Sequence, residues 1–156
     1  MAETKRIVTP YDDLTYRVIG CAMAVHRKLG PGLREDTYQR GLETALAEHK
    51  IDFEAQKLYE VVDPDAGGAL LGYYIPDFVV GGKCVVEIKA LNRIDGSHFA
   101  QVIGYLAVTG CPLGLLLNFG ERSLFYRRIF PPKDVCEHRV NRQWLFVPES
   151  LRPAQS

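Results

Sequence analysis

Three things are missing from this chain: long apolar runs, paired cysteines and a net charge. Its longest hydrophobic stretches fall well short of the ~20 residues that cross a bilayer. The polar start, Met1 to Arg6, has no apolar segment behind it, so neither a membrane span nor a secretory signal is expected. Cys21, Cys84, Cys111 and Cys136 lie far apart, with no CxxC pair and no histidine at zinc spacing. They read as reduced thiols of a cytoplasmic protein rather than a disulfide frame or a zinc site. The 19 basic residues are matched by 19 acidic ones, so no whole-molecule basic field draws in a polyanion. A nucleic acid would have to be met by a local patch or through a metal ion. The segment from Glu121 to Arg152 is modestly basic, but a solvated surface accounts for that better than a binding patch does.

What is present is an ordinary globular composition, 47% apolar and 24% charged, in 156 residues, which fits one domain. Apolar residues recur at helical spacing from Asp13 to Leu29, with Asp12 or Asp13 placed to cap the start and Gly30-Pro31-Gly32 to stop it. A second helix is expected from about Arg34 to His49. The period then shortens. Strands are expected over Phe53 to Val62, Leu70 to Val80 (broken near Pro76) and Lys83 to Lys89. A helix over Gly96 to Thr109 and strands over Leu113 to Phe119 and Leu124 to Phe130 complete the order. Antiparallel strands followed by a crossover helix imply an α/β domain, a mixed β-sheet flanked by helices. The domain is placed at residues 10–130, with residues 131–156 as an appended C-terminal tail that packs through Trp144. The aspartates of the Asp63 to Gly68 turn lack the ligand series of a calcium loop.

The strand from Lys83 to Lys89 would be a core strand but for Glu87 and Lys89, which lie two apart and so share a face. A two-residue turn at Gly81-Gly82 would pair Asp77 with Val86 and send it to the other face. A three-residue loop, Gly81 to Lys83, sets Asp77 directly opposite Glu87. Asp77, Val79, Val85, Glu87 and Lys89 then share one face, and Phe78, Val80, Cys84, Val86 and Ile88 form a wholly apolar one. That partition favours the odd loop. Two readings fit the polar face. In one, Asp77, Glu87 and the Ile88 carbonyl hold Mg²⁺ or Mn²⁺, and Lys89 orients a water for phosphodiester hydrolysis. In the other, Lys89 and Glu87 are a surface ion pair and Asp77 caps a turn.

Pro76-Asp77, nine residues, then Glu87-Ile88-Lys89 resembles the PD-(D/E)xK nuclease motif, in the αβββαβ order of that superfamily's restriction-endonuclease-like core with an extra N-terminal helix. Gly32-Leu33-Arg34-Glu35-Asp36-Thr37-Tyr38 resembles the signature of the GxxExxY protein family within it. The run Leu113 to Gly120 resembles that family's closing strand. The resemblance implies a metal-dependent phosphodiesterase acting on DNA or RNA. It makes Glu35 a catalytic carboxylate near the metal and puts Tyr38 on the same helical face as a substrate contact. His98, Gln101 and Tyr105, a polar stripe opposite the apolar residues of their helix, resemble the Gln-xxx-Tyr element of RecB-like nucleases and imply further substrate contacts. The competing expectation is a non-cutting module of the same fold that binds nucleic acid, a protein partner or a second copy of itself.

Overall fold

The computed structural model of the protein describes residues 9–131. Trp144 and the rest of the expected tail beyond Pro131 lie outside the described residues. Helices α1 (Asp12–Leu29) and α2 (Glu35–Glu48) open the fold. Asp12 does not cap α1 in the expected way: Tyr11 holds the cap position without a side-chain bond, and the Asp12 carboxylate accepts from the Thr9 hydroxyl at 3.0 Å.

The expected strand over Phe53 to Val62 is two strands. β1 (Phe53–Ala55) joins the main sheet, and β2 (Tyr59–Asp63) leaves it. Gln56 turns the chain between them at φ 51°, a left-handed conformation reached here without glycine. The next stretch also divides: β3 (Ala69–Tyr74) pairs with β2 in a separate hairpin, and β4 (Phe78–Val80) enters the main sheet after the break at Pro76. β5 (Cys84–Lys89), α3 (Gly96–Thr109), β6 (Leu113–Asn118) and β7 (Phe125–Ile129) follow. The five-stranded sheet has the order β1-β4-β5-β6-β7, with β5 and β6 parallel and the other neighbours antiparallel.

Two apolar layers hold the sheet. On one face Phe78, Val80, Cys84, Val86 and Ile88 pack under α1 and α2, against Val18, Ala22, Tyr38 and Leu42. On the other, Val79, Val85 and Leu116 pack under Val102, Tyr105 and Leu106 of α3. Close seating of α3 depends on Gly114 of β6, where an added Cβ would come within 2.5 Å of Val102 Cγ1. Glu87 and Lys89 of β5, with Asp77 just before β4, fall on this second face. No helix among the described residues is long and apolar enough to cross a membrane.

Candidate metal and substrate site

The β4–β5 connection is the three-residue loop Gly81 to Lys83, in which both glycines take positive φ, 58° and 65°. Val80 pairs with Cys84, Val79 with Val85 and Phe78 with Val86. One step further, Asp77 lies opposite Glu87. The two side chains are tied across the strands: the Asp77 N–H donates to Glu87 Oε1 at 2.9 Å, and the Ile88 N–H donates to Asp77 Oδ2 at 2.7 Å. The carboxyl groups are also within hydrogen-bond reach of each other.

Glu87 is only 4% exposed. Burial, then the neighbouring Asp77 charge, pushes its carboxyl up to about 9. Burial raises Asp77 too; the Ile88 N–H and the Lys89 charge pull it back, while Glu35 adds to the rise. Without a cation the pair therefore keeps a proton at neutral pH rather than two adjacent negative charges. The two carboxyl groups are hard oxygen donors of the kind Mg²⁺ or Mn²⁺ takes, and a bound cation would remove the penalty of holding both charges. Among the described residues no three His, Cys, Asp or Glu side chains converge on one point. Glu35 thus acts on Asp77 through its field, from an exposed position at the start of α2, and is not a third member of the cluster.

Tyr105 and Gln101 are brought to the carboxylates. Tyr105 does not lie opposite the apolar residues of α3 as expected but packs among them, 8% exposed, on the inner side of the helix. Burial first, and then Glu87 and Asp77, push its hydroxyl up to about 12. The Gln101 amide donates to that hydroxyl at 3.4 Å. One other expectation is corrected. Tyr38 is fully buried among α1, α2 and the sheet, stacked on Phe119 with ring centroids 4.7 Å apart. Its hydroxyl donates to the Gly30 carbonyl and accepts from the Leu33 N–H at 3.1 Å, so it clamps the α1–α2 turn from a position closed to a substrate. His98 accepts from the Asp95 N–H at 2.9 Å, as half of a capping box that starts α3.

Sequence reading missed three residues. Gln39, 7% exposed on α2, donates from Nε2 to the Asp77 carbonyl at 3.2 Å, while its Oε1 is buried with no partner among the described residues. It stands four residues after Glu35, one helical turn, and that spacing was the available signal. Tyr74 of β3 meets Tyr105 edge-on at 5.6 Å, and no periodicity announces it. Asn118, fully buried, both accepts from the Leu91 N–H and donates to the Leu91 carbonyl at 2.9 Å, pinning the loop that leaves Lys89. A separate cavity beside Gly81 and Gly82, bordered by Tyr59, Thr109 and Cys111, lies at the opposite end of the β4–β5 hairpin from the carboxylates.

No curated protein matches the chain. Among solved structures it is similar to the protein SSO0001, at 20% identity over 81% of this chain and 67% of that one, with a TM-score of 0.52. It is also similar to an alkaline exonuclease from Laribacter hongkongensis, at 15% identity over 83% of this chain and 75% of that one, with a TM-score of 0.48. At such identities the first likeness shows a shared fold and no more. The family model for the PD-(D/E)XK nuclease superfamily, whose nucleases generally use divalent metal ions, matches residues 12–129. With the match covering most of its length, and with Asp77 just before β4 and Glu87 and Lys89 on β5, the chain belongs to the PD-(D/E)XK nuclease superfamily.

Proposed function

We propose that the protein is a Mg²⁺- or Mn²⁺-dependent phosphodiesterase acting on DNA or RNA. The observation that carries the reading is the tie between half-buried Asp77 and buried Glu87, two carboxyl groups held side by side at an energetic cost. Asp77, Glu87 and the Ile88 carbonyl are the residues that would hold the cation. When bound, such a cation polarises a phosphoryl oxygen and lowers the pKa of water. Lys89, half-buried one residue beyond Ile88, orients the attacking water and offsets charge on the phosphate. The water oxygen bonds to phosphorus as the bond to the leaving sugar oxygen breaks, and the leaving oxygen takes up a proton. Tyr105, whose hydroxyl keeps its proton at neutral pH, donates to a phosphate oxygen, and Gln101 orients that hydroxyl. Glu35 tunes Asp77 from the rim.

Gly32, Glu35 and Tyr38 support a place in the narrower GxxExxY family, over a domain at residues 10–130. The buried free thiols of Cys21, Cys84 and Cys111 support a reducing, cytoplasmic setting. A non-cutting module that binds nucleic acid or a protein is the competing reading, favoured by the zero net charge. The test is Mn²⁺ calorimetry on wild type and Asp77→Asn, followed by cleavage of single- and double-stranded DNA and RNA. Saturable binding abolished by the substitution, with metal-dependent cleavage, is expected. Metal binding unchanged by Asp77→Asn sinks the site.

A further inference from the structure

Two locally unfavourable features of the fold converge on one atom, the carbonyl oxygen of Asp77. Gln39 is buried on α2 and donates to it from Nε2 at 3.2 Å, while its own Oε1 is buried without a partner among the described residues. The Gln56 N–H donates to the same oxygen at 3.0 Å. It continues the β1–β4 ladder one step past Ala55 and Phe78, from a residue held at φ 51°. One partner is enough to spare a carbonyl the penalty of burial, and Gln56 supplies it. The Gln39 bond is surplus to that need, and its stranded Oε1 costs more than an apolar side chain of equal length would. A local cost that the packing does not offset marks a functional site.

What the surplus bond does follows from the rest of Asp77. Its N–H is taken by Glu87 Oε1 at 2.9 Å, and Pro76 before it has a fixed φ. With the carbonyl held from α2 and from the end of β1, both backbone groups of Asp77 are fixed and only its side-chain torsions remain. Those end on Oδ2, which accepts from the Ile88 N–H at 2.7 Å. We propose that Gln39 is a positioning residue that locks the Asp77 backbone from α2 and so aims the Asp77 carboxylate at the cation site. The inference rests on the metal-dependent reading and adds to it a residue that never touches the metal.

Gln39→Met, which keeps the length of the side chain and removes both amide atoms, tests this in the full chain. In chelator it should melt within about 3 °C of wild type, or above it. The Ile88 amide, followed by NMR hydrogen exchange, should exchange about tenfold faster or more, with Val86 of the same strand unchanged. Mn²⁺ affinity by calorimetry should fall about 10- to 100-fold, as when a group behind a metal ligand is lost. Ile88 exchange at the wild-type rate overturns the proposal whether or not Mn²⁺ affinity changes, because the effect would not run through the carboxylate. So does a melt lowered by more than about 10 °C with faster exchange throughout β4 and β5, since Gln39 would then be holding the fold. If Gln39→Met does not fold, Gln39→Asn, one methylene short of the carbonyl, is judged on the same readings. Mn²⁺ binding lost in Asp77→Asn but unchanged in Gln39→Met would remove the role of Gln39 and leave the metal reading standing. A wild type that binds no Mn²⁺ would remove the metal reading, and Ile88 exchange would still decide whether Gln39 aims the carboxylate.

Discussion

Replacing Glu87 with glutamine should stabilise the metal-free protein at alkaline pH while abolishing its function. In the fold Glu87 holds its proton up to about 9, against 4.5 for an unhindered glutamate. Its folded pKa is raised, so the stability tied to that proton is complete below about 4.5 and drains away as pH climbs towards 9. The slope is about 1.4 kcal/mol per pH unit, which by pH ~8 amounts to at most about 5 kcal/mol. Glutamine imitates the protonated acid: its oxygen accepts the Asp77 N–H as Glu87 Oε1 does, and its amide donates towards the Asp77 carboxylate. It carries no ionisation to suppress. In chelator, Glu87→Gln should therefore match wild type near pH 5 and exceed it by about 2–5 kcal/mol near pH 8, a rise of roughly 5–15 °C in Tm. Mn²⁺ binding and cleavage should vanish in the same variant. Paired denaturant melts at the two pH values decide the matter. A variant less stable than wild type at pH ~8, or a gap that does not change with pH, refutes the account of the buried pair.

Lys89→Ala should melt within about 1 kcal/mol of wild type, because Lys89 lies at the half-buried end of β5, yet remove cleavage; activity retained in a gel assay would make it structural. Gln39→Leu should weaken Mn²⁺ affinity by removing one of the two bonds that hold the Asp77 carbonyl, the other coming from the Gln56 N–H at 3.0 Å, with Gln39→Asn as the short-armed control; unchanged calorimetry would reduce Gln39 to packing. Tyr38→Phe should cost about 1–2 kcal/mol, through the loss of its bonds at Gly30 and Leu33, and leave KM for any cleaved polynucleotide unmoved. Asn118→Ala should cost about 2–4 kcal/mol, because it strands both polar groups of Leu91, and a melt within 1 kcal/mol of wild type would contradict that.

The β4–β5 hairpin was legible because its two faces separate cleanly: an odd-length loop makes one side wholly apolar, and the two-residue turn does not. The helices were legible from their period, with Gly30 and Gly110 ending α1 and α3. The division at Gln56 was not, since no glycine or proline marks it and only the slip in alternation at Gln56-Lys57 accompanies the left-handed turn. Among the site residues, spacing alone could align Glu35 with Tyr38 but could not tell that α2 buries one and exposes the other. His98 looked like part of a polar stripe because a capping box and a ligand-facing histidine have the same sequence. Which side of α3 carries Tyr105 depends on Gly114, in another element, letting that helix settle close to the sheet.

The crossed bonds from Asp77 and Ile88 to the opposing carboxylates make two backbone amides part of the site. A cation that draws those oxygens towards itself must loosen the grip on both protons. Hydrogen exchange at Asp77 and Ile88 should then quicken as metal is added, while amides elsewhere in β4 and β5 slow with the firmer fold. The protein thus carries its own occupancy gauge, readable before any substrate is known.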